Sequence, residues 1–159
     1  MTSTLRPATP ADISAIFSLM AELAAFENLL HLFVATESDL HDALFGPRPA
    51  AEVLVAQTAQ EVVGYALFFH NYSTFAGRRG LYLEDLYVQP AHRGGGLGAQ
   101  MLRHLAALAL ERQCSRFEWT VLDWNEPAIR FYEKMGATVL PDWRVVRISD
   151  DALAQLAHG

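Results

Sequence analysis

Val88-Gln89-Pro90-Ala91-His92-Arg93-Gly94-Gly95-Gly96-Leu97-Gly98 is the stretch that decides how this 159-residue chain is read. The strand-like run Leu81-Tyr82-Leu83-Glu84-Asp85-Leu86-Tyr87 leads into it, and a helical run from Ala99 to Glu111 follows. A glycine-dense turn led by an arginine therefore joins a strand to a helix N-terminus. The first amides of a helix have no intrahelical acceptor and can hold a phosphate. Glycines also let backbone approach an anion that Cβ atoms would keep away. A plain flexible loop is the simpler alternative for such a run. Two other phosphate-binding patterns fit poorly. A P-loop needs Lys and then Ser or Thr after its glycines, whereas Ala99 and Gln100 stand here. A dinucleotide fingerprint has an acid about 20 residues on. Glu118 is near that distance, but the motif gives no role to Arg93 or to Glu84-Asp85 in the preceding strand.

Outward from this turn, strands and helices alternate. Thr4 to Thr9 is a first strand. Thr9 then caps a helix with Pro10 at its first position and Asp12 at its third. Ile13, Ile16, Phe17, Met20, Leu23 and Ala24 recur at helical spacing. Phe26 to Ala35 is an unusually apolar connection. Thr36-Glu37-Ser38-Asp39 opens a second helix that ends near Gly46-Pro47. Strands are expected at 52–58 and 62–72, with a turn at 59–61 and a loop at 73–80. Later elements are a strand over 116–122, a helix over 125–135, strands over 138–140 and 143–148, and a short helix over 150–156. This order predicts an α+β layered fold with a mixed central sheet flanked by helices, in a single domain over residues 1–159.

Composition narrows the function. Eighteen acidic against twelve basic residues give a formal charge of −6. That argues against a nucleic-acid partner and mildly favours a cationic one. The single cysteine, Cys114, allows no intrachain disulfide and no cysteine-rich metal site. His31, His41, His70, His92, His104 and His158 lack ligand spacing, so no metal is expected. No signal-like N-terminal run is evident, since Arg6, Pro7 and Asp12 come early. The apolar run 99–110 is too short to span a bilayer. A cytoplasmic protein with no membrane partner is expected.

Arg93-x-x-Gly96-x-Gly98 resembles the acetyl-coenzyme-A pyrophosphate loop of the GCN5-related N-acetyltransferase (GNAT) superfamily. Four further segments carry the resemblance toward the spermidine/spermine (diamine) and thialysine N-acetyltransferases. These are Leu5-Arg6-Pro7-Ala8-Thr9, Leu81-Tyr82-Leu83-Glu84-Asp85, Trp124-Asn125-Glu126-Pro127-Ala128-Ile129-Arg130-Phe131-Tyr132 and Gly136-Ala137. The resemblance implies the GNAT acyl-coenzyme-A fold and an acetyl-coenzyme-A-dependent transfer to an amine of a small molecule. It also implies that the strands before the glycine loop and before Trp124-Asn125 splay apart to admit the pantetheine arm. A homodimer is implied as well, with Trp143 to Ile148 as a plausible interface strand and Leu29, Leu32 and Phe33 as exposed apolar candidates.

The chemistry sets demands of its own. An amine must be neutral to attack a thioester, yet an aliphatic amine is about 99.9% protonated at pH 7. A site must therefore take a proton away, donate to a developing oxyanion and protonate a leaving thiolate. By the resemblance, Tyr132 is the general acid and Glu84 the base through water. Gly94, Gly95, Gly96, Leu97 and Gly98 hold pyrophosphate, with charge from Arg93. Leu86, Tyr87, Val88 and Asn125 contact the coenzyme arm. Glu27, Glu84, Asp85 and Trp143 face the amine. Packing readings remain open beside these: Tyr132 as a rim tyrosine, Asn125 as a helix cap, Glu84 and Asp85 as structural hydrogen-bonding groups, and Trp143 as a packing residue. For Asp85 the structural role is the leading one. Alternation places Glu84 and Asp85 on opposite faces. One departure matters. Leu30 and His31 stand where polyamine acetyltransferases carry acids, so polyamine specificity does not transfer. Acetylation of protein lysines or N-termini, and a non-catalytic acyl-coenzyme-A-binding module, are the competing functions.

Overall fold

The computed structural model describes residues 2–159. Residues up to Thr120 form one compact unit and Val121–Gly159 a second. The first holds a five-stranded sheet in sequence order: β1 (Thr4–Pro7), β2 (Glu52–Gln57), β3 (Val62–Ser73), β4 (Arg78–Val88) and β5 (Phe117–Glu118). The pairs β1–β2, β2–β3 and β3–β4 are antiparallel, and β4–β5 is parallel. The sheet is thus mixed, as the alternation of elements predicts.

Helices cover the sheet. α1 (Ile13–Phe26) and α2 (Glu37–Phe45) bury Ile13, Ile16, Leu19, Leu40 and Leu44 against Val53, Val55, Tyr65 and Tyr87. Those four strand residues share a face because side chains alternate along a strand. α3 (Leu97–Glu111) buries Leu97, Met101, Leu102, Leu105 and Ala109, one stripe at helical spacing, and packs on β2 and β4.

The helix starts follow from local chemistry. Thr9–Asp12 is a reciprocal box that opens as a 3-10 turn, Pro10–Asp12, before α1 proper. The Asp12 carboxylate accepts from the Thr9 amide at 2.7 Å and from both terminal nitrogens of Arg6 at 2.7 and 2.9 Å. This holds Asp12 at a pKa of about 2, chiefly through the Arg6 hydrogen bonds. Thr36 and Asp39 form the same box at α2. α1 closes on Asn28, which adopts φ +60. The Leu29 and Asn28 amides turn back to the Ala24 and Ala25 carbonyls, as a left-handed closing residue requires.

In the second unit, α4 (Glu126–Lys134) starts on Asn125, whose Oδ1 accepts from the Ala128 amide, and α5 (Asp150–His158) follows. Here the structure corrects the sequence reading. The expected strands 138–140 and 143–148 do not form; both stretches are irregular. A strand exists through its ladder, and the described residues pair no neighbour with them. β5 is likewise shorter than 116–122, because its ladder with β4 covers only Leu81↔Phe117 and Tyr82↔Glu118. The Phe26–Ala35 connection leaves Leu29, Leu30 and Leu32 exposed, whereas Phe33 is half-buried and lies 5.1 Å from the Phe17 ring. No helix among the described residues is long and apolar enough to cross a membrane.

Candidate active site

The glycine turn has the backbone its composition predicts. Gly94 and Gly96 take φ +87 and +81, a region L-residues seldom enter, and Gly96 caps α3 in that conformation. A Cβ built on Gly94, Gly95 or Gly96 would meet nothing within 4 Å. The turn is therefore an open cradle, not a close-packed bend. The first-turn amides of α3, at Leu97 and Gly98, border it. A hollow of about 350 Å³ lined by His92, Arg93, Gly95, Leu97 and Gln100 lies beside it. A second cavity, of about 270 Å³, shares no residue with the turn; Leu44, Phe45, Val53, Phe68 and Leu105 line it.

Strand β4 brings the other groups together. Leu86, Tyr87 and Val88 pair with Ala66, Tyr65 and Gly64 of β3. Their opposite edge forms no ladder with β5 beyond Tyr82, and the Val88 carbonyl accepts from Arg93 Nε. The β3–β4 register slips between Leu67 and Phe68: Leu67 faces Asp85 and Phe68 faces Leu83. Glu84 is the extra residue of this bulge and is exposed. A bulge re-aims side chains locally, so simple alternation does not describe Glu84 and Asp85.

Asp85 is more deeply set than a structural surface acid. Tyr65, wholly buried, donates its hydroxyl to Asp85 Oδ2 at 2.9 Å. Burial pushes the Asp85 carboxyl above the ordinary range, and the Tyr65 hydrogen bond opposes that. Glu27, at the end of α1, is also raised, first by burial and then by the negative charge of Asp85. Both acids push the Tyr65 phenol upward on top of its burial. Glu27, Asp85 and Tyr65 thus form one cluster on the α1 side of the sheet. Two partly buried carboxyls, one of them raised by the other's charge, mark a place that a cation would stabilise.

Arg93 is held differently from the expectation of a free cation at the turn. Its Nε donates to the Val88 carbonyl at 2.7 Å. Its guanidinium lies 5.4 Å from the Phe26 ring centroid and 5.3 Å from that of Tyr87. Tyr87 and Gln89 both donate to Glu22, at 3.0 and 3.1 Å. In the second unit, Tyr132 is half-buried on α4 beside Phe131, Asn125 caps that helix, and Trp143 sits exposed in irregular chain. No group of acids, histidines or cysteines among the described residues could hold a metal ion.

Residues 20–137 match the Acetyltransferase (GNAT) family. The chain belongs to that family. Among related GNAT proteins, a thialysine N-epsilon-acetyltransferase of Mus musculus is 38% identical over 96% of this chain and 96% of its own length. The L-ornithine N5-acetyltransferase NATA1 of Arabidopsis thaliana is 34% identical over 96% and 87%. Among solved structures, an integron cassette protein from the mobile metagenome of V. cholerae superposes with a TM-score of 0.84 at 25% identity, covering 100% and 99% of the two chains. The GNAT fold carries acetyl-coenzyme-A-dependent acetyl transfer to an amine. The cradle at Gly94–Gly96 presents backbone with the chemistry an anion needs, at a helix N-terminus. Tyr65, Glu22 and Phe26 escape a reading of the sequence. Tyr65 stands inside the apolar run 62–69, and the two α1 residues carry no motif.

Proposed function

We propose that this GNAT enzyme acetylates a primary amine of a small molecule that bears a second positive charge, of the ornithine, thialysine or diamine type. The observation that carries this reading is the Glu27–Asp85 pair with its Tyr65 hydrogen bond. A pair of acids both raised by burial, with Asp85 raising Glu27 further, is a poor resting state. It becomes favourable when a cation lies between them. Leu30 and His31 beside it add no further acid, which favours a short dication over a long polyamine. The relatives named for ornithine and thialysine support the same class.

Acetyl-coenzyme A supplies the activated acetyl group. The amides at Gly94–Gly98 hold its diphosphate, and backbone at Leu86–Val88 aligns its arm. Glu27 and Asp85 hold the acceptor's remote ammonium. Glu84 relays a proton from the attacking amine through water, and Tyr132 Oη donates one to the departing sulfur. Two copies pair through the exposed Leu29, Leu30 and Leu32 surface in this reading.

The test is a panel of acceptors with acetyl-coenzyme A: ornithine and lysine analogues, short diamines, spermidine, aminoglycosides and lysine peptides. Short dications should give the highest kcat/KM. Asp85→Asn should raise their KM at least tenfold while a monoamine of equal length changes little. Turnover on peptides alone, or equal loss for monoamine and dication, would refute the reading.

A further inference from the structure

Arg93 opens the coenzyme turn, but its side chain leads away to the acceptor side. The Val88 carbonyl fixes its Nε, and the planar head lies over the rings of both Tyr87 and Phe26. Phe26 is the last residue of α1, and Glu27 follows it directly. Glu22, one turn back on the same face, takes the hydrogen bonds from Tyr87 and Gln89. The end of α1 is therefore tied to the β4 end and the turn at two points, Glu22 and Phe26. The Asn28 closing turn then leaves Glu27 little freedom, since the Glu27 amide bonds to Leu23 and the next two amides to Ala25 and Ala24.

We propose that Arg93 is a positioning residue for the acceptor. By clamping Phe26 it fixes the last turn of α1 and so sets the Glu27 carboxylate against Asp85. This rests on the reading of Glu27 and Asp85 as the ammonium site, and it gives Arg93 a task beyond charge at the diphosphate. Phe26 is the clean place to test it. Its ring is 47% exposed, so its removal spares the core.

Phe26→Leu removes the aromatic face. It should raise the KM for a dicationic acceptor about fivefold, the scale of one exposed cation–aromatic contact, with kcat within about twofold. Coenzyme A Kd by calorimetry should not move. Phe26→Tyr, which keeps the face, should restore the acceptor KM. Amide hydrogen exchange of 27–33 in the free protein should quicken in Phe26→Leu and in Arg93→Gln and return to the wild-type rate in Phe26→Tyr. An unmoved acceptor KM in Phe26→Leu, or a coenzyme Kd weakened as much as the acceptor KM, would overturn the proposal. Exchange separates the two readings. If Glu27→Gln leaves acceptor KM unchanged, the ammonium site fails; if exchange in Phe26→Leu equals wild type, the clamp itself fails.

Discussion

Asp12→Asn removes one negative charge from the start of the helix that ends just before Glu27. The wild-type carboxylate is 6% exposed, accepts from both Arg6 nitrogens and the Thr9 amide, and titrates at about 2 instead of 3.8. At about 1.4 kcal/mol per pH unit, that depression corresponds to about 2 kcal/mol of folding stability at neutral pH. The sign follows from proton linkage. A carboxyl with a lowered native pKa binds protons more tightly in the unfolded chain, so its contribution is full above about 3.8 and fades as pH falls toward 2. Asparagine keeps the shape and one acceptor but not the charge. For a chain of this size about 2 kcal/mol is a Tm loss of roughly 4–8 °C. Thermal unfolding followed by far-ultraviolet circular dichroism at pH 7 and again at about pH 3 measures it. The wild-type advantage should be full at the first pH and distinctly smaller at the second. A loss below about 1 °C at pH 7, or a loss independent of pH, would refute the ion-pair account of this corner.

Two further outcomes follow from the geometry. Gly96→Ala should lower stability by about 1–2 kcal/mol, the strain of a side chain at φ +81. Gly95→Ala, at a position with equal space and no positive φ, should change stability little; equal losses in thermal unfolding would sink the strain argument. The raised Glu27 and Asp85 carboxyls act in the opposite sense to Asp12: the native state holds their protons more tightly, so their contribution is present at low pH and lost as pH rises through the raised values. Acceptor KM should fall over that same window as the pair ionises. An Asp85→Asn protein with an unaltered KM–pH profile would contradict it.

How much of this was legible depends on how local the signal is. Thr9-Pro10-Ala11-Asp12 and Thr36–Asp39 are helix starts because two residues three apart satisfy each other's polar groups, and the structure closes both boxes. The glycine turn is readable because positive φ selects glycine at Gly94 and Gly96. The bulge at Glu84 is not readable, since one inserted residue leaves composition unchanged while altering register. Asp85 looks structural beside Leu86, and only the fold brings Tyr65 and Glu27 to it, from 20 and 58 positions away in sequence. Residues 143–148 have the branched apolar content of a strand, but a ladder needs a partner that content cannot specify. Arg93 is conspicuous in sequence for the right turn, while the rings that hold it lie on α1 and β4.

The ladder between β4 and β5 stops at Tyr82, so from Leu83 to Val88 one edge of β4 presents its N–H and C=O groups to no strand among the described residues. Sheets ordinarily blunt such edges with lysine, proline or a covering loop, because an open edge templates the addition of another chain. This one lies inside the strand order; the bulge at Glu84 belongs to the β3 side of β4, and Arg93 already caps the Val88 carbonyl. Blunting it further would close it to an extended ligand. If this stretch takes the coenzyme's amides as proposed, it is also where two empty copies would add strand to strand, so ligand-free protein should aggregate sooner than protein saturated with coenzyme A, as light scattering on heating would show.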